Sequence, residues 1–121
     1  MVSKVMIVDD SLFMRQMLRD APEEEGYEVT AEAADGDEAV AKFRQFRPDL
    51  TTLDIVMPNK TAIGALQEIM AIEPAAKVVM CSALGQESFT ATATHAGAKA
   101  FIPKPFNPEM SAQVIKEAIE G

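Results

Sequence analysis

Several features that define common classes of protein are scarce in this 121-residue chain. Cys81 is the single cysteine, so no disulfide can form within the chain. No apolar stretch is long enough to span a membrane, and the N-terminus lacks the pattern of a signal peptide. The composition, 48% apolar and 25% charged, is typical of a globular protein. We therefore expect one cytoplasmic domain covering residues 1–121.

Basic residues are also in deficit. Eleven Lys and Arg residues stand against nineteen Asp and Glu residues, which gives a net charge of −8. Binding of nucleic-acid phosphates requires clustered Lys and Arg, so this balance argues against a nucleic-acid partner. An anionic membrane surface should repel the chain for the same reason. No DNA-binding segment precedes Gly121, so we do not expect direct control of transcription.

One cysteine and one histidine raise the possibility of a thiol nucleophile with its base. Cys81, however, ends the apolar run 78–80, a pattern typical of a small buried core residue. His95 has no second imidazole with which to form a metal site, so we assign it a surface or capping role. We therefore assign a catalytic role to neither residue.

Short β-like runs alternate with longer helical patterns along the chain. Strands are predicted near residues 4–8, 27–31, 50–53, 77–81 and 100–102. Helices are predicted to begin near residues 11–12, 36, 61, 86 and 107. Pro22 should end or kink the first helix early, and Gly97 should cap the fourth. This alternation predicts an α/β fold, a flavodoxin-like doubly wound parallel sheet of order 2-1-3-4-5 with five helices.

Acidic residues follow two of the predicted strands, and a lysine follows a third. Asp9 and Asp10 come after strand one, Asp54 closes strand three, and Lys104 comes after strand five. Open α/β sheets bind ligands beyond the carboxyl ends of their strands, so we expect these side chains in one crevice. Three carboxylates repel one another unless a cation lies among them, and oxygen ligands suit Mg²⁺. The pattern indicates a metal site with a carboxylate that a phosphoryl group could reach.

Ordinary structural interpretations exist for each of these residues. The acidic pair could cap the next helix, although the adjacent Ser11 could do so equally well. Ser82, at the end of strand four, could start a turn or could donate to a phosphoryl oxygen. Lys104 could be a solvated loop charge, but prolines on both sides indicate a fixed backbone, and the Lys104–Pro105 bond could be cis.

These motifs resemble those of the receiver domains of two-component signalling, over essentially the whole chain. The matching segments are Val5–Ser11, Leu53–Pro58, Cys81–Ala83 and Lys104–Phe106. A narrower likeness, to the stand-alone response regulators of chemotaxis, lies in residues 13–15, 81–86 and 97–102.

The resemblance implies a phosphoacceptor and a metal site. Asp54 would accept a phosphoryl group from a CheA-like sensor histidine kinase. Asp10, Asp54 and the backbone carbonyl of Val56 would bind Mg²⁺ directly, and Asp9 would bind it through water. Lys104 would pair with the acyl phosphate. Beyond its own phosphorylation and dephosphorylation, the protein would not be an enzyme.

The resemblance also implies a switch. Ser82 would bond a phosphoryl oxygen and shift inward, and Phe101 would then turn inward as the aromatic switch residue. The changed face of helix four, strand five and helix five would bind a flagellar switch component or another downstream protein, and a phosphatase is a further possible partner. The protein would act as a monomer. Val56 and Leu84, two residues beyond Asp54 and Ser82, cannot orient water, so slow self-dephosphorylation is predicted.

Thr61 and Ala62 stand where this family usually has an Asp-Gly pair. Alanine tolerates poorly the backbone angles that glycine permits, so the loop could be reshaped or strained. The alternative is that Thr61 simply caps helix three.

Other functions remain open at this stage. The chain could be a receiver of another pathway, or a phosphate sink without an output partner. A metal-dependent phosphatase also uses a strand-end Asp with Mg²⁺, but it would need a second Asp where Val56 stands. Flavin binding, suggested by strand order alone, conflicts with the acidic loop 9–12, which would repel a phosphate.

Overall fold

The computed structural model of the chain describes residues 2–56, 60–82 and 87–121, except the side chains of residues 87 and 88. Strands and helices alternate along these segments. The strands are β1 (Lys4–Val8), β2 (Glu28–Ala33), β3 (Leu50–Asp54), β4 (Val78–Ser82) and β5 (Ala100–Pro103). The helices are α1 (Leu12–Glu24), α2 (Gly36–Phe46), α3 (Ala62–Ile72), α4 (Glu87–Ala96) and α5 (Pro108–Glu120). In the described segments, no helix has both the length and the apolar character needed to cross a membrane.

The five strands form one parallel sheet in the order β2-β1-β3-β4-β5, which confirms the predicted topology. Val5 to Val8 of β1 are all buried, as expected for a central strand covered by helices on both faces. Val8 pairs with Leu53 across β1 and β3. Residues that follow this pair, Asp9 and Asp54, therefore lie side by side at the carboxyl edge of the sheet.

Two apolar clusters cover the two faces of the sheet. Alternate β1 residues divide between them, with Met6 and Val8 on one face and Val5 and Ile7 on the other. The first cluster packs against α2, α3 and α4, and the second packs against α1 and α5. Burying a side chain the size of Leu contributes about 1.5–3 kcal/mol to the stability of the folded state. These clusters therefore stabilise the sheet that positions the strand ends.

In the described part of the chain, four helices begin with a capping side chain. Ser11, Asp35, Thr61 and Asn107 each accept a hydrogen bond from the N–H three residues later. Thr61 has φ −64° and ψ 153°, ordinary extended values, and Ala62 is the first residue of α3. The loop is therefore not strained at the position of the usual Asp-Gly pair, and the capping interpretation is correct.

Two predicted boundaries differ from the structure. Pro22 was expected to end or kink helix α1, but the helix continues through Pro22, which is buried in the last turn, and ends at Glu24. Strand β2 runs on to Ala33 because Ala33 pairs with Val8 of β1. The predicted start of helix four at Gln86 lies outside the described residues.

Candidate functional site

Three carboxylates converge at the carboxyl edge of the sheet. One oxygen from each of Asp9, Asp10 and Asp54 lies within 4.8 Å of the others. Asp9 and Asp54 are only 3% and 4% exposed, whereas Asp10 is open to solvent. The prediction that folding gathers these residues is confirmed. The cluster has two fixed buried members and one solvent-facing member, so an ion could enter from the Asp10 side.

Lys104 supplies the positive charge of this cluster. Its Nζ donates to Asp54 Oδ1 at 2.8 Å and to Asp9 Oδ2 at 3.3 Å. Its main-chain N–H donates to the carbonyl of Ser82 at 2.7 Å, which fixes the β5–α5 loop against β4. The Lys104–Pro105 bond is cis. Lys104 therefore links the carboxyl ends of β1, β3 and β4.

The environment of the cluster raises the pKa of both Lys104 and Asp9, but for different reasons. Burial alone would lower the pKa of Lys104, but its hydrogen bond to Asp54 and the negative charges of Asp54 and Asp9 raise that pKa overall. Burial raises the pKa of Asp9, the Ser11 N–H opposes this by donating to its carboxylate, and the charge of Asp54 raises it further. The single positive charge of Lys104 therefore does not balance the three carboxylates of the cluster.

The donor set fits a hard divalent cation. Three carboxylates face one ammonium group, so a further cation would relieve their repulsion. The ligand atoms are oxygens, which Mg²⁺ prefers, and the exposed Asp10 leaves space for the waters that Mg²⁺ keeps. Asp9, Asp10 and Asp54 are the described side chains that could hold such an ion.

The remaining predicted site residues lie at the same edge or beside it. Ser82 is half-buried at the end of β4, one residue beyond the partner of Asp54 in the sheet register. Phe101 of β5 is half-buried and packs against the first apolar cluster. The side chain of Val56 is 66% exposed. Leu84 and the motif segments 57–59 and 83–86 lie outside the described residues.

Arg15 lies in the matching segment 13–15, but the sequence patterns assigned it no role at this site. Its Nη1 donates to the backbone carbonyl of Asp9 at 2.6 Å, and its Nε donates to Glu32 Oε1 at 2.9 Å. The available signal was a basic residue within one helical turn of Ser11, the predicted cap that follows the acidic pair. The spacing alone could not show that its target is a main-chain atom.

Cys81 does not take part in this chemistry. Its side chain is buried among the second apolar cluster, and burial raises the pKa of the thiol far above its usual value. His95 lies on the exposed surface in the last turn of α4. These positions support the structural interpretation of Cys81 over that of a nucleophile.

Fold and site together define a known class of protein. A family model described as the response regulator receiver domain matches residues 5–116. The chain belongs to the response regulator receiver domain family.

Within that family, the chain is similar to chemotaxis proteins. It is 47% identical to chemotaxis protein CheY of Thermotoga maritima over 117 residues, which cover 97% of this chain and 98% of that protein. It is 44% identical to chemotaxis protein CheY of Bacillus subtilis over 119 residues, or 98% of this chain and 99% of that protein. CheY is a well-known example of the 2-1-3-4-5 strand order.

Solved structures agree with this relationship. The crystal structure of the CheX–CheY–BeF₃–Mg²⁺ complex from Borrelia burgdorferi contains a chain that matches with a TM-score of 0.90 and 38% identity, covering 95% of this chain and 87% of that chain. A CheY-like receiver domain protein from Methanospirillum hungatei matches with a TM-score of 0.90 and 29% identity, covering 99% of this chain and 95% of that chain.

Proposed function

We propose that this chain is a chemotaxis response regulator that is phosphorylated on Asp54. The observation that carries the proposal is the 2.8 Å contact between Lys104 Nζ and Asp54 Oδ1 inside a cluster of three carboxylates. This contact orients one carboxylate and places a cation beside it. The similarity to chemotaxis protein CheY over nearly the whole chain supports the same function.

The proposed reaction is a phosphoryl transfer from a phosphohistidine of a CheA-like sensor kinase. A carboxylate oxygen of Asp54 attacks phosphorus, a P–O bond forms, and the P–N bond breaks with its electron pair left on the imidazole. A carboxylate is a modest nucleophile, so alignment and charge neutralisation are the protein's contribution. Lys104 contributes both, because its ammonium group holds Asp54 in place and remains charged.

Asp10, Asp54 and the Val56 carbonyl would hold Mg²⁺ directly, and Asp9 would hold it through water. When bound, Mg²⁺ supplies positive charge to the oxygens of the transferring group. The fit between the carboxylate cluster and a hard cation supports this assignment. So does the presence of Mg²⁺ and BeF₃ in the related CheY complex from Borrelia burgdorferi.

The proposed output is a changed surface of α4, β5 and α5. Ser82 bonds the new phosphoryl group, Phe101 turns inward, and the surface binds a flagellar switch component or another downstream protein in the cytoplasm. A phosphatase is a further proposed partner, and a CheX-like protein is a candidate because CheX forms a complex with CheY in the Borrelia burgdorferi structure. The apolar, exposed side chain of Val56 cannot orient water, which favours slow self-dephosphorylation.

Incubation with Mg²⁺ and acetyl phosphate, followed by intact mass spectrometry, tests this function. One acid-labile phosphoryl group per chain is expected on the wild type and none on Asp54→Asn. Asp20→Asn is the matched control, since Asp20 is an exposed aspartate of α1 outside the site and its variant should be labelled normally. Continuous release of phosphate without accumulation on the chain would instead favour a phosphatase.

A further inference from the structure

We infer that Arg15 is a positioning residue for the metal-binding edge, acting by fixing the main chain of Asp9. This inference rests on the proposed Mg²⁺ site. Arg15 touches none of the three carboxylates in the described contacts; it donates to the carbonyl of Asp9 at 2.6 Å. It therefore acts on the backbone that carries the acidic pair.

Contacts with the described residues hold Asp9 at four points. Its N–H donates to the Ala33 carbonyl at 3.0 Å, and its carbonyl accepts from Arg15. Its carboxylate accepts from the Ser11 N–H at 2.9 Å and from Lys104 at 3.3 Å. The Arg15 contact is the one that ties the carbonyl side of this peptide to a helix. Asp10 follows directly on that carbonyl, so the contact also limits where Asp10 can lie.

Arg15 is itself anchored by Glu32 of β2. Its Nε donates to Glu32 Oε1 at 2.9 Å, while Arg19 of the next turn binds the other carboxylate oxygen. The Arg15 side chain is 15% exposed, against 35% for Arg19. A guanidinium group is planar and carries donors in fixed directions, so it can bridge two acceptors on separate elements. Arg15 thus joins α1, β2 and the β1–α1 connection at a single group.

Arg15 can influence metal binding in two opposite directions. As a cation near the carboxylates it repels Mg²⁺, so an electrostatic role predicts tighter binding when it is removed. As a positioning residue it keeps the acidic pair aligned, so its removal predicts weaker binding. The second effect should dominate because Glu32 already compensates the charge of Arg15, whereas the contact to the Asp9 carbonyl is short and direct.

Isothermal titration of the metal-free full chain with Mg²⁺ measures this directly. We expect Arg15→Met to raise the Kd for Mg²⁺ by about tenfold, the low end of the losses that outer-shell substitutions produce. Arg19→Met is the matched control, because it removes the same charge and a contact to the same Glu32 but leaves the Asp9 carbonyl bonded. Its Kd should be unchanged or slightly tighter.

The outcomes separate this inference from the proposed function. If the wild type takes up no Mg²⁺, the metal site itself is refuted. If the wild type binds Mg²⁺ and Arg15→Met binds it as tightly as Arg19→Met, the positioning role is refuted while the site stands. Thermal midpoints in EDTA measure any general loss of stability, and Arg15→Gln repeats the comparison should Arg15→Met fail to fold.

Discussion

Arg47 has a backbone conformation that its side chain does not favour. It follows the last residue of α2 with φ 45° and ψ 59°, and it is the one residue other than glycine with positive φ among the described segments. This left-handed conformation costs an L-residue about 1–2 kcal/mol and is usually occupied by glycine. Its ion pair with Glu73, at 4.0 Å, is exposed on both sides and contributes little. Its guanidinium group also lies 5.8 Å from the centre of the Phe43 ring, a contact worth about 0.5–1 kcal/mol at an exposed cation.

We therefore expect Arg47→Gly to increase the free energy of unfolding by about 0.5–1 kcal/mol, since the relief of backbone strain exceeds the loss of these contacts. Chemical denaturation monitored by circular dichroism measures the change. Arg44→Gly, one turn earlier in the same helix, is the control and should lower stability by about 1 kcal/mol. A loss of stability in both variants would show that the conformation of Arg47 carries no strain.

Sequence alone predicted this site because its charged residues lie at the ends of apolar runs. Asp9, Asp54 and Lys104 each end or follow a run that could be assigned as a strand, and parallel strands bring their carboxyl ends to one edge. The contact of Arg15, a residue of the matching segment 13–15, and the backbone conformation of Arg47 were not predicted, for different reasons. The target of Arg15 is a main-chain carbonyl, which has no sequence signature, and the position of Arg47 lacks the glycine that normally marks a helix end.

Helix α4 is the element with the weakest local preference for its own structure. Thr90, Thr92 and Thr94 have branched side chains that disfavour a helix, and the Thr94 hydroxyl donates back to the carbonyl of Thr90 at 2.8 Å. Ala93 is the fully buried anchor of this helix. The helix therefore depends mainly on tertiary packing, which suits the proposed change of this surface on phosphorylation.

Thr92 is exposed, so Thr92→Ala should stabilise α4 through propensity alone, by up to about 0.7 kcal/mol. Native-state hydrogen exchange should show slower exchange for the α4 amides, with the α5 amides as the internal reference. Equal slowing in both helices would mean that the change acts on global unfolding and that α4 does not open locally.

Element boundaries were predicted less well than element types. The Ala- and Glu-rich end of β2 carries little strand preference, and only the pairing of Ala33 with Val8 makes it a strand. Pro22 was expected to end or kink α1, but the helix continues past it, and Pro22 is buried in the last turn. In both cases tertiary contacts outweighed local preference, and such contacts cannot be read from one sequence.

Lys104 connects distant parts of the chain, because it pairs with carboxylates at the ends of both β1 and β3. Lys104→Met should leave Asp9 and Asp54 buried without a compensating charge. We expect a loss of about 1–3 kcal/mol of unfolding free energy in EDTA, below the cost of breaking a fully buried pair because the lysine side chain is 20% exposed.

Saturating Mg²⁺ should reduce this loss, since the ion would supply the missing positive charge. Denaturation of both proteins with and without Mg²⁺ measures the difference. Lys116→Met removes an exposed lysine of α5 and should change stability by less than about 0.5 kcal/mol in either buffer. An equal loss for Lys104→Met in both buffers would show that metal and lysine do not serve the same carboxylates.

The two outer strands of the sheet are obstructed. Along β2, the Ala33 carbonyl points inward to Asp9, and the Glu32 carbonyl, which faces the other way, accepts a hydrogen bond from Lys42 of α2. Along β5, Pro103 has no N–H to offer. The row of donors and acceptors is interrupted at these positions, which disfavours extension of the sheet by a neighbouring copy. At the high concentrations of a crowded cell, this chain should resist fibril-like stacking.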